Sequence, residues 1–366
     1  MSEINPRQDL TDVKRIVVKI GTKSITGEAG RFAHVAKQVA ALCALGKQVV
    51  MVSSGAIALG FPRLGLSTRP TQMAELQASA AAGQSRLMHA YEEAFAVHAI
   101  EVAQVLLTHD GIADRKFYLN ARAALDALLG HGCVPIINEN DTVAVDEIRF
   151  GDNDQLAAMV AALVGADLLV LLTDVEGLLD REGKRISIVS DVEAVRELVR
   201  PHAAGGLSLG GMESKLEAAR RASLRGLPVV MADARNAEIL SQIVAGDDVG
   251  TLVLPQGSPL ASRKHWIAYT LKPRGSILVD AGAAQAVCRQ NGSLLPAGVL
   301  GVRGDFSQGD PVSILGPDGK EVARGLSRYP LADVARLAGA RGPEIEARLG
   351  RYAGDAIVHR DDLVVL

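Results

Sequence analysis

Short, strongly apolar runs alternate with amphipathic helix patterns from the start of the chain to about residue 255, and this alternation limits the fold more than any other feature. The runs are Ile16 to Lys19, Gln48 to Val52, Val102 to Leu107, Val134 to Asn138, Leu168 to Leu172 and Leu227 to Met231. Each has the length of a strand and is apolar on both parities, as a strand buried on two faces requires. Between them the spacing predicts helices such as Ala33 to Leu45, stopped by Gly46, and Phe117 to Leu129, stopped by Gly130. Strand and helix in turn imply a mostly parallel sheet with helices on both faces, an α/β fold. Open sheets of this kind bind ligands at the carboxyl ends of their strands, so the chemistry is sought there.

Composition narrows the function. With 48% hydrophobic and 22% charged residues, a chain of 366 residues buries a large core and is not intrinsically disordered. Its length favours two domains. A net charge of −3 gives no bulk basic field for nucleic acid or an anionic membrane. Cys43, Cys133 and Cys288 stand far apart in sequence, with no CxxC or CxxH spacing, and read as small buried hydrophobes in a reducing, cytoplasmic setting. The polar start MSEINPRQDL predicts no secretory signal. The longest apolar run, Leu156 to Leu172, is broken by Gly165, Ala166 and Asp167, which predicts a helix, a turn and a strand rather than a membrane span.

Periodicity lapses over 258–273, between Pro255 and Pro273, which predicts a linker after a catalytic domain of residues 10–257. Over 274–362 the texture changes to short strands with glycine and aspartate turns, including a hairpin at Asp318-Gly319 and a helix near Leu331 to Leu337. This is a small β-rich second domain.

Six segments follow the apolar runs or sit beside them. Lys19 closes the first strand ahead of Gly21 and Thr22, although a lysine there also serves to mark a sheet edge. Ser53-Ser54-Gly55 lies between strand and helix, where exposed backbone amides favour an anion and where an ordinary turn uses the same residues. Asn138 to Thr142 and Gly151 to Asp154 gather more amides and carboxyls than helix capping requires, and suit the ammonium and carboxylate of an amino acid. Thr173-Asp174 follows LLVLL and is weak alone. Gly205 to Lys215 is glycine-rich and leads into a helix, a backbone able to approach polyphosphate or simply a flexible loop. Met212 after Gly211 excludes the Walker A pattern.

Two separated lysines, a glycine-rich anion loop and clustered carboxamides together describe phosphoryl transfer to an anionic acceptor. A carboxylate acceptor, with a reference pKa near about 4.3, is already ionised and needs no general base. The barrier is repulsion between anions, which positioned cations lower. None of the eight histidines lies inside the six segments; His109, just after a strand, comes nearest.

The ordered motifs VVKIGT, VSSGAIALG, INENDTV, GDNDQLAA, LLTDVEGL and GGMESK closely resemble the glutamate 5-kinase branch of the amino-acid kinase family. The tail motifs LLPAGV, GDFSQGD and GLSRY resemble a PUA domain. The resemblance implies a three-layer α/β/α fold with a mostly parallel open sheet, and ATP-dependent phosphorylation of the side-chain carboxylate of L-glutamate at the head of proline biosynthesis. It also implies Mg2+, L-proline as feedback inhibitor and a homo-oligomer, dimer or tetramer. By motif, Lys19, Lys215 and Asp154 would be catalytic. Ser54, Gly55, Asp141 and Asn153 would bind glutamate. ATP would be held by Lys19, Thr173, Asp174, Leu209, Gly210, Gly211, Met212, Glu213, Ser214 and Lys215. The usual loop resembles GTGGMxTK with a small residue at x, and in this chain Ser208, Leu209, Glu213 and Ser214 stand in place of Gly, Thr, that small residue and Thr. Leu209 offers no hydroxyl and Glu213 puts a negative charge beside phosphate, while the backbone amides of Gly210, Gly211 and Met212 remain.

Three alternatives differ in their expectations. Kinases of N-acetylglutamate or aspartate would share the fold, but INENDTV, GDND and the β-rich tail favour free glutamate. A sensor of proline or glutamate without catalysis would bind but not turn over ATP. An RNA-binding PUA protein is disfavoured, since residues 275–366 carry ten basic against eleven acidic residues and only Phe306, Tyr329 and Tyr352 as aromatics.

Overall fold

The computed structural model describes residues 6–26, 30–143, 153–196, 211–256, 271, 273–290, 292–341, 344–350 and 355–365. The segment expected as a linker falls outside these residues except at positions 271 and 273. The chain divides into two compact units, one of residues 1–112 and 117–257, the other of 258–366 with 113–116.

Eight strands form the sheet of the first unit: β1 (Arg15–Ile20), β2 (Gln48–Ser53), β3 (Val102–Leu107), β4 (Val134–Glu139), β5 (Leu168–Thr173), β6 (Ile188–Val189), β7 (Val229–Asp233) and β8 (Thr251–Val253). Their order is β3-β4-β2-β1-β5-β7-β8-β6, and every pairing is parallel except β7 with β8. From β1 the chain builds outward through β2 to β3 and β4, then returns to β5 on the other side of β1. That reversal makes the carboxyl ends of β1 and β5 the switch point where such sheets take ligands.

Strand alternation separates the two sheet faces. Ile16, Val18 and Ile20 of β1 pack with Val39, Leu87, Tyr91 and Ile243, from helices Arg31–Ala44, Met73–Ala96 and Ile239–Ala245. Val17 packs on the other face with Leu129, Leu156, Val160 and Leu216, from helices Arg115–Gly130, Asn153–Val164 and Met212–Leu224. The result is three layers, as expected. Lys19 has the parity of Val17, so its side chain enters the layer that holds the last two helices.

The run from Leu156 resolves into the helix Asn153–Val164, Gly165 at a positive φ of 61°, and β5. No helix among the described residues is long and apolar enough to cross a membrane. Gly46 ends its helix as expected, with φ 74°. The other expected stop is corrected: Gly130 still belongs to its helix, and the left-handed residue is Gly132 at φ 75°.

Two glycines bring the segment after β2 against the long helix. A Cβ on Gly83 would lie 1.8 Å from Ala56 O, and one on Gly60 would lie 1.8 Å from Ser79 O. Helices Ala56–Gly60 and Met73–Ala96 therefore touch backbone to backbone, which holds the turn at Ser54-Gly55.

The second unit has five strands, β9 (Gly275–Val279), β10 (Val299–Gly304), β11 (Pro311–Leu315), β12 (Glu321–Leu326) and β13 (Leu363–Val365), in the order β10-β9-β11-β12-β13. Only β9 with β11 is parallel. The Asp318-Gly319 hairpin and the helix Leu331–Leu337 form as expected, Gly319 having φ 76°. The helix Ala281–Gln290 was not anticipated. Asp280 caps it through the amide of Ala283, and Val287 anchors it in the core.

Candidate active site

The first turn of helix Asn153–Val164 lies under the carboxyl ends of β1 and β2. Asp154 Oδ1 is 2.7 Å from Lys19 Nζ, and Asp154 Oδ2 is 3.1 Å from Lys215 Nζ. All three are buried, at 1%, 4% and 8% exposure for Asp154, Lys19 and Lys215. Ser214 adds a longer contact, its hydroxyl 3.4 Å from Asp154 Oδ2. Burial alone would push the Asp154 carboxyl up, but the two ammonium groups outweigh it and hold the carboxyl below its ordinary value. Within this triad two ammoniums meet one carboxylate, an arrangement suited to an anionic group. Gly21 lies alongside, where a Cβ would stand 3.7 Å from Lys19 Nζ.

Asn153 organises the neighbouring strand ends. Its Nδ2 donates to Ser53 O at 2.8 Å, Ser54 Oγ at 2.9 Å and Asn138 Oδ1 at 3.0 Å. Asn138 in turn donates to Gln84 Oε1 at 2.9 Å. One amide thus ties the ends of β2 and β4 to the residue beside Asp154. Gly55 caps the helix Ala56–Gly60 with φ 109°, a conformation that favours glycine. Asp141 is half-buried in the turn after β4.

Thr173 ends β5 with its hydroxyl 3.3 Å from Asp174 Oδ1, and Asp174 lies 3.9 Å from Lys23 Nζ. Gly211 is the N-cap of helix Met212–Leu224 and contributes no side-chain cap bond of its own. Met212 packs against the core beneath. Glu213 is directed to Arg196, with Oε1 3.2 Å from its Nη2.

Residues 14–233 match the Amino acid kinase family, and residues 275–349 match the PUA domain. The chain belongs to the amino acid kinase family. It is 50% identical to a Glutamate 5-kinase of Geobacter sulfurreducens over 98% of this chain and 99% of that protein. A Glutamate 5-kinase of Myxococcus xanthus is 48% identical over the full length of both chains. One of Pseudomonas putida is 46% identical over 98% of this chain and 100% of its own.

In this amino acid kinase the structure brings together Lys19, Asp154, Ser214 and Lys215, and beside them Ser54 and Asn153. Thr173 and Asp174 meet each other at the end of β5. Leu209 and Gly210 lie outside the described residues. Sequence reading passed over Gln84, which comes from the middle of the long helix and carries no local signal. It also passed over Arg196, which meets Glu213 only after folding. His109, noted only as the nearest histidine, has Nδ1 3.2 Å from Oε2 of the buried Glu139.

Proposed function

We propose that this chain transfers the γ-phosphoryl group of ATP to the γ-carboxylate of L-glutamate, giving L-glutamyl 5-phosphate at the first step of proline biosynthesis. The buried Lys19–Asp154–Lys215 triad at the sheet's switch point carries the reading. Similarity to Glutamate 5-kinases over nearly the whole chain supports it.

The acceptor carboxylate is already ionised. One of its oxygens attacks the γ-phosphorus in line, the bond to the bridging oxygen of ADP breaks, and no proton has to move. Lys19 and Lys215 are the catalytic residues, neutralising charge on the transferring oxygens. Asp154 is a positioning residue that holds both ammoniums at one point. Ser54, Gly55, Asp141 and Asn153 bind L-glutamate. Thr173, Asp174 and the segment Gly211 to Lys215 bind ATP, the latter through backbone amides at the helix head and the Lys215 ammonium.

Magnesium fits this arrangement as the nucleotide's companion. Among the described residues no group of three or more His, Cys, Asp or Glu could hold a metal ion, and Mg2+ commonly keeps its waters and binds substrate phosphates with few carboxylates. When bound it would spread charge over the β- and γ-phosphates. L-Proline as a feedback inhibitor acting near residues 138–154, a homo-oligomeric state and a cytoplasmic location belong to the same reading.

The test is ADP formation with ATP and Mg2+, comparing L-glutamate, N-acetyl-L-glutamate and L-aspartate, with hydroxylamine trapping the acyl phosphate. Turnover and hydroxamate with L-glutamate alone is the expected result. Equal turnover with either other acid overturns the substrate assignment, and no turnover with any overturns catalysis.

A further inference from the structure

Glu213 opposes the chemistry around it. It stands in the first turn of the helix that carries Lys215, where the family pattern has a small residue. An acid there is favourable to an isolated helix, because the helix dipole is positive at that end. The same charge repels a polyphosphate approaching the first-turn amides.

Among the described residues, a connected set of ion pairs surrounds Glu213. Arg196 Nη2 lies 3.2 Å from Glu213 Oε1 and 3.0 Å from Glu217 Oε2, while its Nη1 lies 3.2 Å from Glu193 Oε2. Arg220 joins Glu217 at 2.8 Å and Glu193 at 3.4 Å, and Arg221 joins Glu217 at 2.8 Å. Among the described residues these pairs join three carboxylates to three guanidiniums, whose formal charges balance. Arg220 and Arg221 are engaged with Glu193 and Glu217, so among the described residues the cation that meets Glu213 is Arg196. It sits at the end of the helix Val192–Arg196, and its Nε is buried without a hydrogen-bond partner, which orients the guanidinium through its two terminal nitrogens alone. A guanidinium suits the task, because its planar fork reaches two carboxylates with one nitrogen and a third with the other.

We propose that Arg196 is a positioning residue for ATP binding: it draws the Glu213 carboxylate into a charge-neutral cluster, so that the head of the Lys215 helix stays open to phosphate. The inference rests on the reading of this helix head as the nucleotide site. It gives the Glu213 departure a compensating partner that the sequence motif does not contain.

The experiment is a double-mutant cycle on the full chain, with KM for ATP and kcat measured at saturating L-glutamate and Mg2+. Arg196→Ala should raise KM for ATP by roughly 5-fold, the upper end of what a solvent-accessible ion pair carries, with the KM for L-glutamate unchanged. Glu213→Gln should lower KM for ATP, and the double variant should return to within about twofold of the original, since charge pairs that act together are non-additive in this way. Arg196→Lys should keep most of the affinity by preserving the charge. In about 1 M KCl, where the screening length falls to about 3 Å, the ratio between Arg196→Ala and the original should shrink. Thermal unfolding of each variant separates a folding defect from a binding one, and if Arg196→Ala does not fold, Arg196→Lys and Glu213→Gln still report on the charge.

An unchanged KM for ATP in Arg196→Ala, or the same rise with Glu213→Gln already present, overturns the proposal. A Glu213→Gln variant that weakens ATP binding also overturns it. These outcomes are distinct from failure of the kinase reading, which would appear as absence of ATP turnover in the unmodified chain.

Discussion

Lys19 Nζ and Asp154 Oδ1 lie 2.7 Å apart, joining the end of the central strand β1 to the first turn of the helix Asn153–Val164. The pair is buried, and the same carboxylate holds Lys215 at 3.1 Å. Asp154→Ala removes the only carboxylate in this triad and leaves two buried ammoniums facing each other. Breaking a buried pair in this way costs about 3–5 kcal/mol, so denaturant unfolding should show a loss of that size. Stability within about 1 kcal/mol of the original would contradict the assigned role of Asp154.

Lys215→Ala should lower kcat by roughly 10²-fold or more, the effect of losing one donor that acts in the transition state. The KM for L-glutamate should change much less. Steady-state kinetics with both substrates varied checks this, and a near-normal kcat would remove Lys215 from the mechanism.

Asn153→Ala deletes the amide that joins Ser53, Ser54 and Asn138. Leaving buried acceptors without their donor costs about 1–3 kcal/mol, expected here as a rise of roughly tenfold or more in the KM for L-glutamate. The KM for ATP should stay close to its original value. Equal effects on both substrates would place Asn153 outside a glutamate-specific role.

Gly83→Ala tests how the long helix holds the turn after β2. The added methyl would meet Ala56 O at 1.8 Å and has no flexible side chain to displace. Overpacking of this kind costs about 1–3 kcal/mol, read as a lower melting temperature. An unchanged melting temperature would mean that the two helices separate without penalty.

Acid should destabilise the protein through carboxyls whose folded-state values are depressed. Asp154 is one: burial pushes it up, but Lys19 and Lys215 prevail. Glu217 is another, held down to about 2 by its hydrogen bond to Arg220, against some burial, with Arg221 assisting. Such groups contribute stability that is present above the unfolded-state value and lost as pH falls through the folded one. For Glu217 the window runs from its ordinary value of 4.5, taken for the unfolded chain, down to about 2. Melting temperatures measured across that range should fall less steeply for Glu217→Gln than for the original chain; identical slopes would deny the coupling.

Much of the fold was legible because buried parallel strands have little freedom of composition. VVKI, VVMVS and LLVLLT are apolar on both parities, and each became a strand within a residue or two of its expected bounds. The helix Ala281–Gln290 was missed because it is short, carries Gly282 near its start and is followed in sequence by Asn291-Gly292, so these glycines read as breaks between strands. The stop at Gly130 was misplaced because either Gly130 or Gly132 can terminate a helix, and only the chain's return to β4 selects the second.

At the site, sequence alone determined which residue types close the strands and lead into the helices: Lys19 after an apolar run, Asn153-Asp154 ahead of an apolar helix, Gly211 before Lys215. These are local properties, set by burial and backbone conformation over a few residues. The tertiary structure decided which of them meet. Strand parity turns Lys19 toward the helices of one face, and the order of β1 beside β2 and β5 brings two lysines 196 positions apart in the chain onto a single carboxylate. The same packing joins Glu213 to Arg196 and Asn138 to Gln84. Charge compensation acts over a few ångströms in space, and a linear sequence does not contain those distances until the sheet has fixed them.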